Sequence, residues 1–115
     1  MTHPVVHFEI LGPDGAALQK YYADLFGWEI NADNPANYGM VTGIAPGIGG
    51  GVGPNQDGTP LVTVYVQSDD LQGSLDKAES LGGKKVMDPT DIPGGPTLAM
   101  FTDPQGNLIG LVNGM

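Results

Sequence analysis

Pro4-Val5-Val6-His7-Phe8-Glu9-Ile10, running on to Leu25-Phe26-Gly27, and Leu61-Val62-Thr63-Val64-Tyr65-Val66, running on to Leu81-Gly82-Gly83, are two copies of one unit. Setting Leu25 on Leu81 gives an offset of 56, which puts Thr63 under His7 and Tyr65 under Glu9. Further on, Gly39-Met40-Val41-Thr42-Gly43 echoes Ala99-Met100-Phe101-Thr102-Asp103 at an offset of 60. A repeat fixes architecture before any local detail, and it supplies matched positions at which candidate functional residues can be compared.

Outward from those strands, alternation over 4–11 sets Val5, His7 and Glu9 on one face and Val6, Phe8 and Ile10 on the other. Pro13-Asp14-Gly15 turns the chain, with Asp14 a helix N-cap. Leu18, Tyr21 or Tyr22, and Leu25 then recur at helical spacing until Gly27 stops the helix. Strands are expected at 28–30, 38–42 and 48–52, with a loop over 31–37. Residues 54–60 form a polar, turn-rich linker. The second copy predicts a strand at 61–67, and a helix capped by Ser68, Asp69 or Asp70 and carrying Leu71, Leu75, Ala78 and Leu81. Strands at 84–87, 97–102 and 108–112 follow, the last after the turn Asp103-Pro104-Gln105-Gly106-Asn107. The order is βαβββ twice, an α+β class. Residues 1–115 read as a single domain with modules at 1–53 and 61–115.

Composition narrows the partners. The chain carries thirteen acids against four basic residues, a net charge of −9. The four are Lys20, Lys77, Lys84 and Lys85, so there is no arginine. Nucleic acid and anionic membrane surfaces both need positive charge and are disfavoured. Bidentate guanidinium grips on phosphate or carboxylate are excluded, so a multiply charged anionic substrate is a poor fit. Without cysteine there is no disulfide framework, thiol nucleophile or thiolate metal site. No secretory signal and no membrane-length apolar run is visible, which makes a cytoplasmic location the expectation.

With the repeat established, the chain resembles the vicinal oxygen chelate superfamily, which includes glyoxalases, extradiol dioxygenases and bleomycin-resistance proteins. The likeness rests on Val6 to Ile10, Tyr21 to Trp28, Leu75 to Gly83 and Phe101 to Asn107, in that order and doubled. It implies two βαβββ modules whose curved mixed sheets face each other around a cavity. Metal-using members take ligands from the first and fourth strand of each half, a histidine or other polar residue and then a glutamate. Carried over, those positions are His7, Gly50, Thr63 and Gly110. Only His7 is a competent ligand, and divalent metal chemistry needs three or four converging donors, so neither a metal nor another cofactor is expected.

Each remaining candidate has an ordinary reading beside its functional one. His7 is a relic ligand, a general base, or a neutral imidazole hydrogen-bonded in the wall. Glu9, a carboxylate on an inward strand face, must be solvated, paired or protonated; it binds a donor or cationic ligand group, acts as a base, or is simply held by a backbone N–H or lysine. Tyr65, Thr63, Met40 and Met100 are candidate ligand-binding residues, with packing the plainer role for Tyr65 and the methionines. Trp28 seals a core or a subunit edge. The run Gly47 to Gly53 lacks the Lys-Ser/Thr ending and the following helix of a phosphate loop. The expected function is metal-free binding of a small apolar or cationic organic molecule by a glyoxalase/bleomycin-resistance-like homodimer. The alternatives are a lyase, isomerase or hydroxylase using Glu9 and His7 for proton transfer, and a metal-dependent glyoxalase- or dioxygenase-type enzyme.

Overall fold

The computed structural model describes residues 2–114. The chain divides into two compact units, one formed by His7–Thr63 and the other by the described residues up to Val6 and from Val64. The first unit contains most of β1 (Val5–Gly12), α1 (Gly15–Phe26), β2 (Glu29–Asn31), β3 (Gly39–Thr42) and β4 (Gly50–Pro54). The second contains most of β5 (Leu61–Gln67), α2 (Leu71–Ser80), β6 (Lys84–Asp91), β7 (Thr97–Thr102) and β8 (Leu108–Asn113). Each unit is α+β and mixed: the strand orders are β2-β3-β4-β1 and β5-β8-β7-β6, with the pairs β1–β4 and β5–β8 parallel and the rest antiparallel. Among the described residues no helix is long and apolar enough to cross a membrane.

The helix ends follow their residues. Asp14 Oδ1 accepts from the Ala17 N–H at 3.0 Å, and Gly27 closes α1 at φ +71°. Of the three cap candidates in the second copy, Asp70 is the one that caps, accepting from the Gly73 N–H at 2.9 Å. Ser68 instead lies buried against the Ser74 hydroxyl at 2.7 Å.

Two elements depart from the sequence reading. β4 begins at Gly50 rather than 48, and β6 runs on to Asp91 through Pro89. Register shifts in β6 between Lys85 and Thr90 take up the proline, which an edge strand tolerates because its N–H side needs no ladder partner. The inner stripe of α1 is also displaced. Tyr22, not Tyr21, turns inward and stacks on Trp28 at 5.6 Å, while Leu25 is 54% exposed. Gln19 donates from Nε2 to the Val52 carbonyl at 2.8 Å and to the Asn37 carbonyl at 2.9 Å. Trp28 packs against Phe8 and Phe26, each with its centroid 5.2 Å away, in a half-buried aromatic cluster whose outer member, Phe26, is 57% exposed. In the second unit the core is Leu71, Leu75, Ala99 and Leu111, flanked by Val66 and Phe101.

Candidate functional site

Strand alternation puts Phe8 on the α1 side of the first sheet and His7 and Glu9 on the opposite face. The side chain that joins the latter two is Tyr38, which the sequence presented only as the start of a strand. Its hydroxyl donates to Glu9 Oε2 at 2.9 Å, and His7 Nε2 stands 2.8 Å from the same oxygen. With the phenolic proton directed to Glu9, His7 donates as the Nε2–H tautomer, giving a directed chain His7→Tyr38→Glu9. His7 is 5% exposed, while Tyr38 and Glu9 are half-buried.

Tyr38 is held by its own loop. Asn34 grips its backbone from both sides, Oδ1 accepting from the Tyr38 N–H at 2.9 Å and Nδ2 donating to the Tyr38 carbonyl at 2.7 Å. Asn37, at φ +52°, makes the reversal that delivers the tyrosine, and Gln19 anchors that residue's carbonyl to α1. Asparagine is well suited to both tasks, since its short amide mimics a backbone turn and it tolerates the left-handed region. The sequence signal was present in Asn34-Pro35-Ala36-Asn37, but local chemistry does not say where the following ring points.

The strand register corrects one assignment. Gly50 pairs with Phe8, and a Cβ there would overlap the Phe8 ring on the α1 side. Gly51 pairs with Glu9 and Met40, and a Cβ on it would fall inside the Tyr38 ring. In the second unit Gly110 pairs with Tyr65 and Met100, and a Cβ there would overlap Tyr65. The counterpart of Gly110 is therefore Gly51. The methionines keep the offset of 60, but by the fourth strand it has fallen to 59, because the first unit has one more residue between Met40 and its partner Gly51 than the second has between Met100 and Gly110. In each unit the fourth-strand glycine is the bed of a tyrosine ring.

Met40 borders the His7–Glu9 face beside Gly51 and is 37% exposed. Tyr65 and Thr63 are buried, at 5% and 4%, and Met100 is half-buried beside Gly110. His7, Glu9 and Met40 are thus brought together with Tyr38, whereas Tyr65 and Met100 are grouped around the other glycine. Among the described residues no three His, Cys, Asp or Glu side chains converge, and the ring of Tyr38 occupies the space into which a fourth-strand carboxylate at position 51 would extend.

Burial holds His7 below its ordinary value of 6.5, because desolvation penalises the imidazolium. The unfolded chain then binds the proton more tightly than the folded one. The stability contributed by neutral His7 is present above pH 6.5 and is lost as pH falls below it. Urea midpoints of the parent are expected to drop between pH 7.5 and 5.5 more steeply than those of His7→Gln, and parallel slopes would refute this.

The comparisons with known proteins agree with this architecture. Residues 5–111 match the family model of the Glyoxalase/Bleomycin resistance protein/Dioxygenase superfamily. The chain is 31% identical over 117 residues to the anthracycline biosynthesis protein DnrV of Streptomyces peucetius, covering 86% of this chain and 42% of that one. It is 31% identical over 108 residues to the putative glyoxylase CFP32 of Mycobacterium bovis, covering 85% and 41%. It thus spans less than half the length of these curated relatives. Among solved structures, methylmalonyl-CoA epimerase from Mycobacterium tuberculosis superposes with a TM-score of 0.69 at 17% identity, over 96% of this chain and 87% of that one. A glyoxalase/bleomycin resistance protein/dioxygenase superfamily member from Vibrio splendidus 12B01 gives 0.67 at 16% identity, over 96% and 98%. With its doubled βαβββ order and a family match over nearly its whole length, the chain belongs to the Glyoxalase/Bleomycin resistance protein/Dioxygenase superfamily.

Proposed function

We propose that this protein binds a small organic molecule on the His7–Glu9 face without a metal ion, and that Glu9 accepts a hydrogen bond from a cationic or donor group of that molecule. The observation that carries the reading is the chain His7→Tyr38→Glu9, which holds a half-buried carboxylate in one orientation beside the exposed Met40. The net charge of −9 and the absence of arginine favour a cationic over an anionic guest. Amide shifts on titration with benzylammonium are expected at His7, Glu9, Tyr38 and Met40, unchanged by a chelator. Glu9→Gln is expected to weaken binding roughly tenfold, the value of one hydrogen bond to a charged group. Equal binding of benzoate, or an affinity indifferent to Glu9→Gln, would defeat the proposal.

A second reading follows from the order of the same chain. A carboxylate backed by a phenol and a neutral imidazole is a candidate base for proton abstraction without metal, as a lyase or isomerase would require. Deuterium exchange at an acidic C–H of a bound ketone, lost in Glu9→Gln and retained in chelator, is the result that would distinguish catalysis from binding.

A further inference from the structure

In the first unit four aromatic rings, Phe8, Tyr22, Phe26 and Trp28, cluster on the α1 side of the sheet, with Phe26 57% exposed at the edge. At the repeat offset of 56 the second unit has Val64, Ala78, Gly82 and Lys84 in their places. Of these four only Ala78 lines the open groove of about 410 Å³ in this unit, whose floor is Val66, the Phe101 ring and Leu111 and whose wall includes Leu81. That volume lies within the roughly 300–1,000 Å³ usual for small-molecule sites.

One end of the groove carries a lysine. Lys77, one helical turn before Leu81, lines it together with His3. Lys20 and Lys85 are committed to Asp24 and Asp88, whereas Lys77 has no ion pair among the described residues, despite the surplus of acids. The His3 ring is fixed by Nδ1 at 2.9 Å from the Gln67 carbonyl, which directs its other nitrogen away from that strand. At the far end Asp103 is engaged in its own turn with the N–H groups of Gln105 and Asn107, while Asp69 and Asp70 line an adjoining cavity that shares His3, Ser74 and Lys77 with the groove.

We propose that this groove is a second binding site, independent of the His7–Glu9 face, for an apolar monocarboxylate whose chain lies along Val66, Phe101 and Leu111 and whose carboxylate meets Lys77 and His3. Burial of the chain supplies affinity and the single lysine supplies selectivity for the anionic head.

Sodium octanoate, octan-1-ol and octylammonium serve as probes, read by backbone amide shifts at low ionic strength. Saturable octanoate binding is expected, with shifts at Val66, Ala78, Phe101 and Leu111, and with octanol and octylammonium weaker. Ala78→Tyr, which restores the residue that fills the groove in the first unit, is expected to weaken octanoate more than roughly tenfold. Lys77→Gln, an exposed change that leaves the helix intact, is expected to remove most of the preference for octanoate over octanol. Shifts confined to His7 and Glu9, equal binding of the three probes, or closure of the groove by a second copy in sedimentation with no octanoate bound would each overturn the proposal.

Discussion

Gly51→Val is expected to lower stability by about 2 kcal/mol and to expel Tyr38 from the His7–Glu9 face. A β-branched residue in a strand would ordinarily gain up to about 1 kcal/mol over glycine. Here the first side-chain atom would fall inside the Tyr38 ring, so one of the two must leave. The backbone of β4 is fixed by pairing with β1 and β3, whereas Tyr38 sits at the end of a loop, so the ring is the part that moves. Its departure breaks two hydrogen bonds, one to a carboxylate, each worth about 1 kcal/mol or more. Urea denaturation measures the stability, and benzylammonium affinity reports whether Glu9 is still oriented. The decisive comparison is the double variant: with Tyr38→Ala already in place, Gly51→Val should cost far less, because the ring it strikes is gone. Strict additivity of the two substitutions would show that Gly51 has some other role.

Leu75→Ala is expected to be the most damaging single core change, at about 3 kcal/mol. Leu75 is fully buried among Leu71, Ala99 and Leu111. Alanine preserves helix propensity, so the cost reports the lost transfer energy and the cavity alone. Leu81→Ala, at a position 70% exposed, is expected to change stability by no more than about 0.5 kcal/mol. Similar urea midpoints for the two variants would contradict the placement of the α2 core.

The two leucines that align the repeat illustrate how far sequence reading reaches. Leu25 and Leu81 fall at helical spacing with their neighbours, yet they are 54% and 70% exposed. Periodicity records that a residue lies near an apolar stripe, but it does not set the stripe's rotation to within one side chain. Tyr21 and Tyr22 could not be separated for the same reason, and a ring stack with Trp28 chose Tyr22. The caps were legible because a cap is a local event, one side-chain oxygen reaching an N–H three residues away.

The site divides along the same line. His7 and Glu9 were legible as a pair because alternation places residues two apart on one face whatever surrounds them. Tyr38 was not, since it lies 29 residues beyond Glu9 and reaches it through a loop held by Asn34, Asn37 and Gln19. Gly51 was missed by one position, because a repeat offset carries no information about an extra residue in a loop, whereas hydrogen-bonded register counts it.

The sequence by itself therefore determined the doubled βαβββ order, the α+β class, the cap of α1 by Asp14 and the shared face of His7 and Glu9. All of these depend on spacing and on contacts within a few residues. Tertiary structure alone decided that a tyrosine joins the two side chains, that Gly51 and Gly110 each cradle a ring, and that the second unit has a groove where the first has aromatic packing. Those outcomes depend on which distant atoms compete for the same volume, and only the folded chain settles that competition.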